Sequence, residues 1–568
     1  MANQTDTNSG FDALGERVSH AFSKLIYVVL CVLLCVLGYV AKPSAGSEAS
    51  GETMPASSVQ MLEYNKGLEQ VARDDDYRTT YEIFVSSFCD SDADGIGDLN
   101  GIRNTLDYIS AMGFDQLWLT PVHPSATYHK YDVDDYLKID PAFGSMEDYE
   151  ALLEDCHARG IRVLMDLVLN HTSDTHPWFR AATDYLRELP NDWEPDVEYC
   201  PYFDYYHFSR TPQDGYVQLE GTNWYYEARF WSEMPDLNLN SEAVRKEIRN
   251  VLQFWLDKGV DGFRLDAVTS YATGSPQENV EFLSFLTKTC KGIDPDCYLV
   301  GEAWTDRSSI ATLYTSGIDS LFDFPFADSG GIIAQTMNGS RSAYDYVREM
   351  VDAEAAYRGA NPDYVDAPFY TNHDTSRSAS FYSSDEGPVT KMAYALSLFM
   401  PGDSFVYYGE ELGMEGAGKD ENKRGPMYWS DNAQTEGMCS APSNMDEVQM
   451  KFPSLEAQTK DDLSLWRWFA EVIRVRKAFP AIARGTTEMV DGVCDEGVAA
   501  FIRRSADDQD VLVVMNLRGQ ATEKDLSTVA DNLSLAAVLG TNDESISYNQ
   551  GKLNLPAYSI AVLTFGKE

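Results

Sequence analysis

Short apolar segments alternate with longer amphipathic ones between residues 77 and 411, and this alternation constrains the fold more than any other feature of the chain. The short segments are rich in β-branched and aromatic residues and have the length of buried strands. The strand candidates are residues 81–88, 114–122, 162–170, 262–268, 298–304, 321–326, 367–374 and 404–411. Helical patterns lie between them, among others at residues 146–160, 241–259, 344–359 and 389–400. Eight such units predict an α/β fold, a (β/α)8 TIM barrel, with an open doubly wound sheet as the rival architecture.

Two regions depart from this alternation. About seventy residues rich in Tyr, Phe, Trp and Asp separate the third strand from the next helix, and a connection of that length predicts a small inserted domain at about residues 172–235. Beyond residue 484 the helical patterns stop, and the runs "VAAFIRRS", "DVLVVMNL" and "YSIAVLTF" follow. They predict a C-terminal antiparallel β-sandwich over residues 485–568, after a barrel over residues 77–484.

The N-terminal region carries one long apolar run, "LIYVVLCVLLCVLGYVA", at residues 25–41. It follows a polar tail, residues 1–24, in which Arg17 and Lys24 precede the run, and it leads into a Ser-, Ala-, Gly- and Glu-rich linker at residues 42–76. The run has three possible interpretations: a signal-anchor or uncleaved signal, a cleaved signal, or a buried helix. The first two predict an extracellular protein, either secreted or anchored to the cell membrane.

The charge of the chain restricts its partners. The formal net charge is −46, from 90 acidic and 44 basic residues. Such a surface repels phosphates, so nucleic acid is excluded as a partner class. Cys290 and Cys297 bracket a short loop, and both a disulfide and two free thiols remain open.

An acidic loop, "DSDADGIGDLNGI" at residues 90–102, begins like an EF-hand calcium loop. Asp90, Asp92 and Asp94 alternate, and Ile96 offers a backbone carbonyl. The EF-hand requires a bidentate Glu at position 12, where this chain has Gly101. A calcium sensor is therefore excluded, whereas a structural cation site remains open.

The predicted barrel strands end in polar and charged residues, which a core does not tolerate. These residues are Asp166, Asn170 and His171 after the third strand, Arg264 and Asp266 in the fourth, Glu302 in the fifth, and Asn372, His373 and Asp374 in the seventh. Barrel enzymes place their chemistry at such strand ends. Arg264 and Asp266 are two residues apart, so both lie on one face of the strand and the guanidinium favours ionised Asp266. For any one of these residues, a structural ion pair is the alternative.

Three carboxylates accompanied by His and Arg indicate acetal chemistry. Hydrolysis of a glycosidic bond requires a carboxylate nucleophile and a carboxylic acid on the other side of the bond. The aromatic-rich insertion suits stacking on sugar rings. The sequence also lacks a Gly-rich phosphate loop and a Ser-His elbow, so glycoside hydrolysis is the predicted reaction.

Seven ordered motifs resemble the α-amylase family of glycoside hydrolases. "DLVLNHT", "GVDGFRLDAV", "YLVGEAW" and "FYTNHDTSR" are similar to its four signature segments, and "GFDQLWLTPV", "MPDLNLN" and "VYYGEE" to its secondary ones. The "MPDLN" motif is similar to members intermediate between oligo-1,6-glucosidases and neopullulanases. The resemblance covers about residues 77–568 and implies a catalytic barrel, a domain inserted after the third strand and a C-terminal β-sandwich.

The resemblance also implies roles for single residues. Asp266 matches the nucleophile, Glu302 the acid/base and Asp374 the transition-state stabiliser. Further matches are the sugar-holding residues Arg264, His171 and His373, the stacking residue Tyr131, and the sugar-gripping pair Asp420 and Arg424. In the oligo-1,6-glucosidase-like branch a similar acidic loop binds structural Ca²⁺ or Mg²⁺. This likeness implies five ligands, namely Asp90, Asp92, Asp94, the Ile96 carbonyl and Asp98, and a turn without an ion is the alternative.

Two departures from the family pattern bear on specificity and a third bears on metal binding. Oligo-1,6-glucosidase-like members have Asp where this chain has Tyr128, and they favour Val where it has Ala267. Both departures favour cleavage of α-1,4 bonds in starch or maltooligosaccharides. Ser270 replaces a calcium-binding His of many amylases, which puts a metal between barrel and inserted domain in question.

Other functions compete with that of an α-amylase. An exo-acting α-glucosidase or a transglycosylase would use the same residues. A tail, one membrane segment and an amylase-like ectodomain also describe the heavy chains of amino-acid exchangers, and a starch-binding protein is a further non-enzyme. Retention of all three carboxylates favours an enzyme that acts on an α-glucan and contacts the membrane through its N-terminal segment.

Overall fold

The computed structural model describes residues 65–566. The predicted tail, the apolar run at 25–41 and the first part of the linker lie outside this range. Within the range, no helix combines the length and the apolar character needed to cross a membrane. Cys290 and Cys297 are both buried free thiols.

The described residues form eighteen strands and fourteen α-helices. The strands are β1 (Thr79–Ile83), β2 (Gln116–Leu119), β3 (Arg162–Leu167), β4 (Phe208–Ser209), β5 (Tyr216–Gln218), β6 (Tyr225–Glu227), β7 (Gly262–Leu265), β8 (Tyr298–Gly301), β9 (Ser320–Leu321), β10 (Ser404–Tyr407), β11 (Thr486–Met489), β12 (Val498–Arg504), β13 (Val511–Asn516), β14 (Thr522–Asp525), β15 (Leu533–Gly540), β16 (Ser547–Asn549), β17 (Lys552–Leu555) and β18 (Ser559–Phe565). The helices are α1 (Leu99–Asn104), α2 (Leu106–Met112), α3 (Met146–His157), α4 (Pro177–Glu188), α5 (Glu242–Asp257), α6 (Pro276–Ile293), α7 (Arg307–Tyr314), α8 (Ile332–Met337), α9 (Ala343–Ala360), α10 (Pro388–Leu398), α11 (Asp420–Lys423), α12 (Leu455–Gln458), α13 (Leu465–Ala478) and α14 (Ala481–Arg484).

Seven parallel strands form the barrel sheet, in the order β10, β1, β2, β3, β7, β8, β9. An eighth segment closes it: Ala367 forms a parallel bridge to Phe322 after β9, and Phe369 forms one to Phe405 in β10. The predicted (β/α)8 TIM barrel is therefore confirmed. Helices such as α5 lie between the strands. The Ser241 side chain caps α5 by accepting the Val244 amide.

The sixth and seventh barrel strands are shorter than the sequence pattern predicts. After β9 the chain turns into a 3₁₀ helix at Phe324–Phe326, and the segment at 367–369 makes isolated bridges instead of a ladder. Pro325 and Pro368 explain both differences, because proline has no N–H to donate to a neighbouring strand. We call this irregular part of the barrel wall, between β9 and β10, the seam. A layer of buried aromatic residues packs along the seam, formed by Trp118, Phe322, Phe324, Phe369 and Phe405.

Two smaller units accompany the barrel. The insertion after β3 contains α4 and a three-stranded antiparallel sheet in the order β4, β6, β5. The C-terminal region has a five-stranded antiparallel sheet, β11, β12, β13, β18, β15, and a three-stranded sheet, β14, β17, β16. Both the inserted domain after the third strand and the C-terminal β-sandwich are confirmed.

Candidate active site

The carboxyl ends of neighbouring barrel strands carry the predicted catalytic residues. Asp266 follows β7, and its amide donates to the Leu167 carbonyl at the end of β3. Glu302 follows β8, and its amide donates to the Leu265 carbonyl. Asp374 follows the short segment that closes the barrel. Parallel strands place such residues at one end of the barrel.

Arg264 lies at the centre of the site and is fully buried. Its Nη1 donates to Asp166 Oδ1 at 2.8 Å and to Asp266 Oδ1 at 2.7 Å. Its Nη2 lies 3.1 Å from Glu302 Oε2. One guanidinium therefore contacts three carboxylates, and it brings Asp266 and Glu302 close together.

Burial dominates the protonation of Asp266 and Glu302. It raises the pKa of Asp266 to about 6 and that of Glu302 to about 7, although Arg264 acts to lower both. The sequence predicted correctly that Arg264 lowers the pKa of Asp266. Desolvation raises that pKa by more than Arg264 lowers it. Between these two pKa values an ionised Asp266 beside a protonated Glu302 is favoured, because the pKa of Asp266 is the lower of the two.

Asp374 has the opposite environment. His373 Nε2 lies 3.1 Å from Asp374 Oδ2, and Arg424 Nη2 donates to Asp374 Oδ1 at 2.7 Å. Burial acts to raise the pKa of Asp374, but these two cations hold it well below its usual range. Of the three carboxylates, Asp374 is therefore the one whose surroundings favour the ionised form most.

His373 connects Asp374 to a residue that the sequence argument did not single out. Its Nδ1 lies 2.6 Å from Oε1 of Glu82 in β1, and its Nε2 lies 2.7 Å from the Tyr131 hydroxyl. Burial acts to lower the pKa of His373, but Asp374 and Glu82 raise it to about 9. The signal for Glu82 was available, because it is a charged residue within a strand whose other residues are buried.

Tyr131 forms one wall of the site. Its ring stacks on His373 at 5.3 Å between centroids and 11° between planes. Its hydroxyl donates to Asp166 Oδ2 at 2.9 Å. His171 Nε2 contacts the Tyr131 carbonyl oxygen at 3.2 Å, and burial lowers the pKa of His171 to about 4, so the imidazole is neutral. His171 thus holds the Tyr131 loop as well as lying in the site.

Arg424 contacts Asp374 more closely than it contacts its predicted partner Asp420. Arg424 Nη2 lies 3.6 Å from Asp420 Oδ2, farther than it lies from Asp374. Arg424 Nη1 donates to the Tyr128 hydroxyl at 2.9 Å. Arg424 therefore belongs to the Asp374 cluster, whereas the half-exposed Asp420 stands at its edge.

The acidic loop lies apart from this cluster. Asp90, Asp92 and Asp98 place carboxylate oxygens within 4.8 Å of one another. The Asp94 carboxylate is outside this group of three. The loop also contacts a distant segment, because the Asp90 amide donates to the Gly437 carbonyl at 3.1 Å. Three convergent carboxylates are hard oxygen donors of the kind that Ca²⁺ and Mg²⁺ prefer, so these residues fit such an ion.

The family assignment follows from comparison with known proteins. Residues 82–485 match the model of the α-amylase catalytic domain, and residues 498–562 match that of the C-terminal domain of the α-amylase SusG. The first match spans well over half of the chain. This chain belongs to the α-amylase family.

Relatives of this α-amylase-family enzyme differ in their named activities. Alpha-amylase 3 of Dictyoglomus thermophilum is 36% identical over 443 residues, 77% of this chain and 84% of that protein. The structure of Eubacterium rectale Amy13B has 44% identity and a TM-score of 0.88, and covers 91% of this chain and 100% of that one. Probable oligo-1,6-glucosidase 3 of Bacillus subtilis is 28% identical over 510 residues, 77% of this chain and 90% of that protein. The chain is accordingly an enzyme of the glycoside hydrolase type.

Proposed function

We propose that this enzyme cleaves α-1,4-glucosidic bonds of starch or maltooligosaccharides with retention of the anomeric configuration. The observation that carries the proposal is the contact of one buried guanidinium, Arg264, with both Asp266 and Glu302. Retaining enzymes need two carboxyl groups roughly 5–5.5 Å apart, without room for a water between them. Two carboxylates bound to one guanidinium suit that requirement.

In the first step the Asp266 carboxylate attacks the anomeric carbon, and the bond from that carbon to the leaving oxygen breaks. Glu302 gives its proton to the leaving oxygen. Glu302 Oε2 accepts the Ala267 amide at 2.9 Å and faces Arg264, so the proton belongs on Oε1. In the second step the Glu302 carboxylate takes a proton from water, the water oxygen bonds to the anomeric carbon, and the bond to Asp266 breaks.

Asp374 acts on the sugar without bonding to it covalently. Its carboxylate is held ionised by His373 and Arg424. An ionised acceptor strengthens its hydrogen bonds to sugar hydroxyls as positive charge develops at the anomeric carbon. Tyr131, stacked on His373, offers an aromatic face to the apolar side of the same sugar ring.

The preference for α-1,4 bonds rests on two positions. Tyr128 stands where oligo-1,6-glucosidase-like members have Asp, and its hydroxyl accepts from Arg424 instead of offering the sugar a carboxylate. Ala267 follows Asp266 in place of their Val. An exo-acting α-glucosidase or a transglycosylase is the alternative within the same chemistry.

The test is the product pattern from a maltoheptaoside blocked at its non-reducing end. We expect internal fragments, because an endo-acting enzyme does not need a free chain end. Release of products only from unblocked chains would replace the proposal by the exo-acting alternative, and absence of turnover would overturn it. Proton NMR of the first product should show the α-anomer, and an initial β-anomer would rule out retention. Amylose, pullulan, isomaltose and sucrose complete the substrate panel.

The acidic loop is proposed to hold a structural Ca²⁺ or Mg²⁺ through Asp90, Asp92 and Asp98, with Asp94 and the Ile96 carbonyl as further ligands. The convergence of the first three supports this proposal. The bound ion would neutralise the mutual repulsion of the carboxylates. It would stabilise the loop after β1 and take no part in the reaction.

Residues 25–41 are proposed to direct export, so that the enzyme acts outside the cytoplasm, secreted or membrane-anchored. The apolar run and the preceding Arg17 and Lys24 support this proposal. Deletion of residues 1–42 should give a soluble enzyme with unchanged kcat. Recovery of the intact protein in the cytosolic fraction of its host would contradict the proposal.

A further inference from the structure

We infer that Glu82 is a positioning residue that holds His373 as a doubly protonated imidazolium, and through it keeps Asp374 ionised and fixed in place. The inference deepens the proposed function and rests on the role given there to Asp374. Glu82 lies in β1 and is 1% exposed, and it contacts Nδ1 of His373, whereas Asp374 contacts Nε2 of the same ring. Its influence on the reaction therefore passes through the imidazole ring.

The Nδ1 side of His373 faces a carboxylate that is already an acceptor. Glu82 Oε1 lies 2.6 Å from Nδ1 and also accepts the backbone amide of His373 at 3.3 Å. Burial raises the pKa of Glu82, and the hydrogen bond and charge of His373 oppose that rise. Because Oε1 already accepts the His373 amide, it also accepts from Nδ1, which therefore carries a proton. Two N–H groups of one residue thus converge on one oxygen of Glu82, which fixes the ring orientation as well as its charge.

The Nε2 side of His373 must carry a proton too. Nε2 lies 2.7 Å from the Tyr131 hydroxyl oxygen and 3.1 Å from Asp374 Oδ2. Tyr131 already donates its only hydroxyl proton to Asp166 Oδ2. Its oxygen is therefore free only to accept, and an unprotonated Nε2 would face two acceptors. A ring with protons on both nitrogens is the imidazolium cation.

The charges around His373 favour the cation from both sides. The carboxylates that act on it are Glu82 and Asp374 in direct contact and Asp166 beyond Tyr131. The cations that oppose it are Arg264 and Arg424. Burial lowers the pKa of the nearby His129 to about 4, so that ring adds no charge at neutral pH. Glu82 is the contact on the side away from Asp374. A glutamine at position 82 would preserve an oxygen acceptor for Nδ1–H and remove only the negative charge.

The kinetic test uses Glu82→Gln in the full chain, with the Glu302→Gln substitution as background and α-maltosyl fluoride as substrate. Fluoride departs with little protonation, so the basic limb of kcat/KM no longer reports Glu302. Loss of an opposite charge within about 4–6 Å lowers the pKa of a cation by about 1–3 units. We expect the basic limb to move down by about that amount in Glu82→Gln relative to the background enzyme. Coincident limbs would overturn the inference.

A matched control separates charge from general damage to a buried site. Glu411 is also fully buried, and its Oε1 accepts the hydroxyls of Tyr81 and Tyr108, each at 2.6 Å. Glu411→Gln should lower the melting temperature and leave the basic limb in place. Glu82→Asp keeps the negative charge, so its basic limb should lie close to that of the background enzyme and not at the lower pH expected for Glu82→Gln. Equal shifts in Glu82→Asp and Glu82→Gln would show that geometry rather than charge matters, against the inference.

A second measurement depends on no variant at Glu82 and on no substrate. The ¹⁵N chemical shifts of His373 in histidine-labelled wild-type enzyme, assigned with His373→Gln, should be those of the imidazolium at pH 7 and should titrate well above that pH. A neutral ring at pH 7 would overturn the inference. Because this result requires no turnover, an enzyme that fails on every α-1,4 substrate would defeat the proposed function without deciding the state of His373.

Discussion

The active site and the acidic loop both concentrate carboxylates, and they manage the resulting repulsion in different ways. In the active site, Arg264 contacts Asp266 and Glu302, while His373 and Arg424 contact Asp374. In the loop, hydrogen bonds to the aspartates come from neutral donors of the same segment. Examples are the Gly95 amide to Asp90 and the Gly101 amide and Ser91 hydroxyl to Asp98.

The two clusters differ in the source of their positive charge, which is the protein itself in the active site and the proposed ion in the acidic loop. Burial raises the pKa of Glu302 to about 7, whereas the fixed cations His373 and Arg424 hold the pKa of Asp374 well below the usual range of Asp. That spread allows one carboxylate to attack, one to donate a proton and one to stay charged. The loop aspartates converge without such a partner in their hydrogen bonds, which suits an added cation and a structural role.

The strongest test of this contrast is Asp266→Asn. It removes the proposed nucleophile, so we expect kcat on maltoheptaose to fall by on the order of 10⁴-fold or more, with oligosaccharide Kd nearly unchanged by calorimetry. Asp92→Asn is the matched control in the loop and should leave kcat nearly unchanged. Residual turnover of Asp266→Asn above about 1% would show that another group performs the attack.

Glu302→Gln should have the next largest effect, and its size should depend on the leaving group. General acid catalysis contributes about 10²–10⁴-fold, so the loss on maltooligosaccharides should lie in that range. A nitrophenyl maltoside needs little protonation and should lose far less. Steady-state kinetics on both substrates measure the difference, and equal losses on the two would assign the proton to a different donor.

The pH profile tests the order of the two pKa values. Asp266 must be ionised, so kcat/KM should rise through about pH 6, and Glu302 must be protonated, so it should fall through about pH 7. Each flank should approach a tenfold change per pH unit, since one proton is involved on each side. Activity on a maltooligosaccharide that stays level up to pH 9 would contradict the proton-donor role of Glu302.

The smallest effect is expected in the loop and should appear in stability. Removal of the ion by EDTA, or the double substitution Asp92→Ala and Asp94→Ala, should lower the melting temperature by about 2–4 °C, and the variant should no longer respond to EDTA. The exposed pair Asp543→Ala and Glu544→Ala removes the same charge and should have no such effect. A wild-type melting temperature that is insensitive to EDTA would remove the metal from the loop.

The sequence predicted the catalytic cluster because those residues occupy equivalent places. Asp266, Glu302 and Asp374 each follow a barrel strand, so their order along the chain places them at one end of the barrel. The partners that fix their charges were harder to predict. Glu82 is 291 positions from His373, and Tyr128 is 296 positions from Arg424. Such pairs form only when the barrel closes, so the local pattern can mark Glu82 as an unusual strand residue but cannot identify His373 as its partner.

Burial and proline account for the remaining differences. The sequence predicted that Arg264 favours ionised Asp266, but the degree of burial, which raises the pKa of Asp266, depends on the packed fold. The predicted strands at 321–326 and 367–374 were too long because their apolar residues outweighed Pro325 and Pro368 in the pattern. Those residues are buried, but in a 3₁₀ turn and a short bridge.

The proline-interrupted seam of the barrel has a consequence for how the enzyme loses activity on heating. Between β9 and β10 the segment around Ala367 and Phe369 makes isolated bridges and separate hydrogen bonds, such as the Phe405 amide to the Pro368 carbonyl, instead of a regular ladder. Amides there should exchange with solvent deuterium sooner than those of β2 or β3, because Pro368 has no amide to donate and interrupted pairing opens at lower free energy than a continuous ladder. Asp374 is carried on the chain that leaves this seam. Opening of the seam would displace it while most of the barrel stayed folded, so thermal inactivation should precede global unfolding.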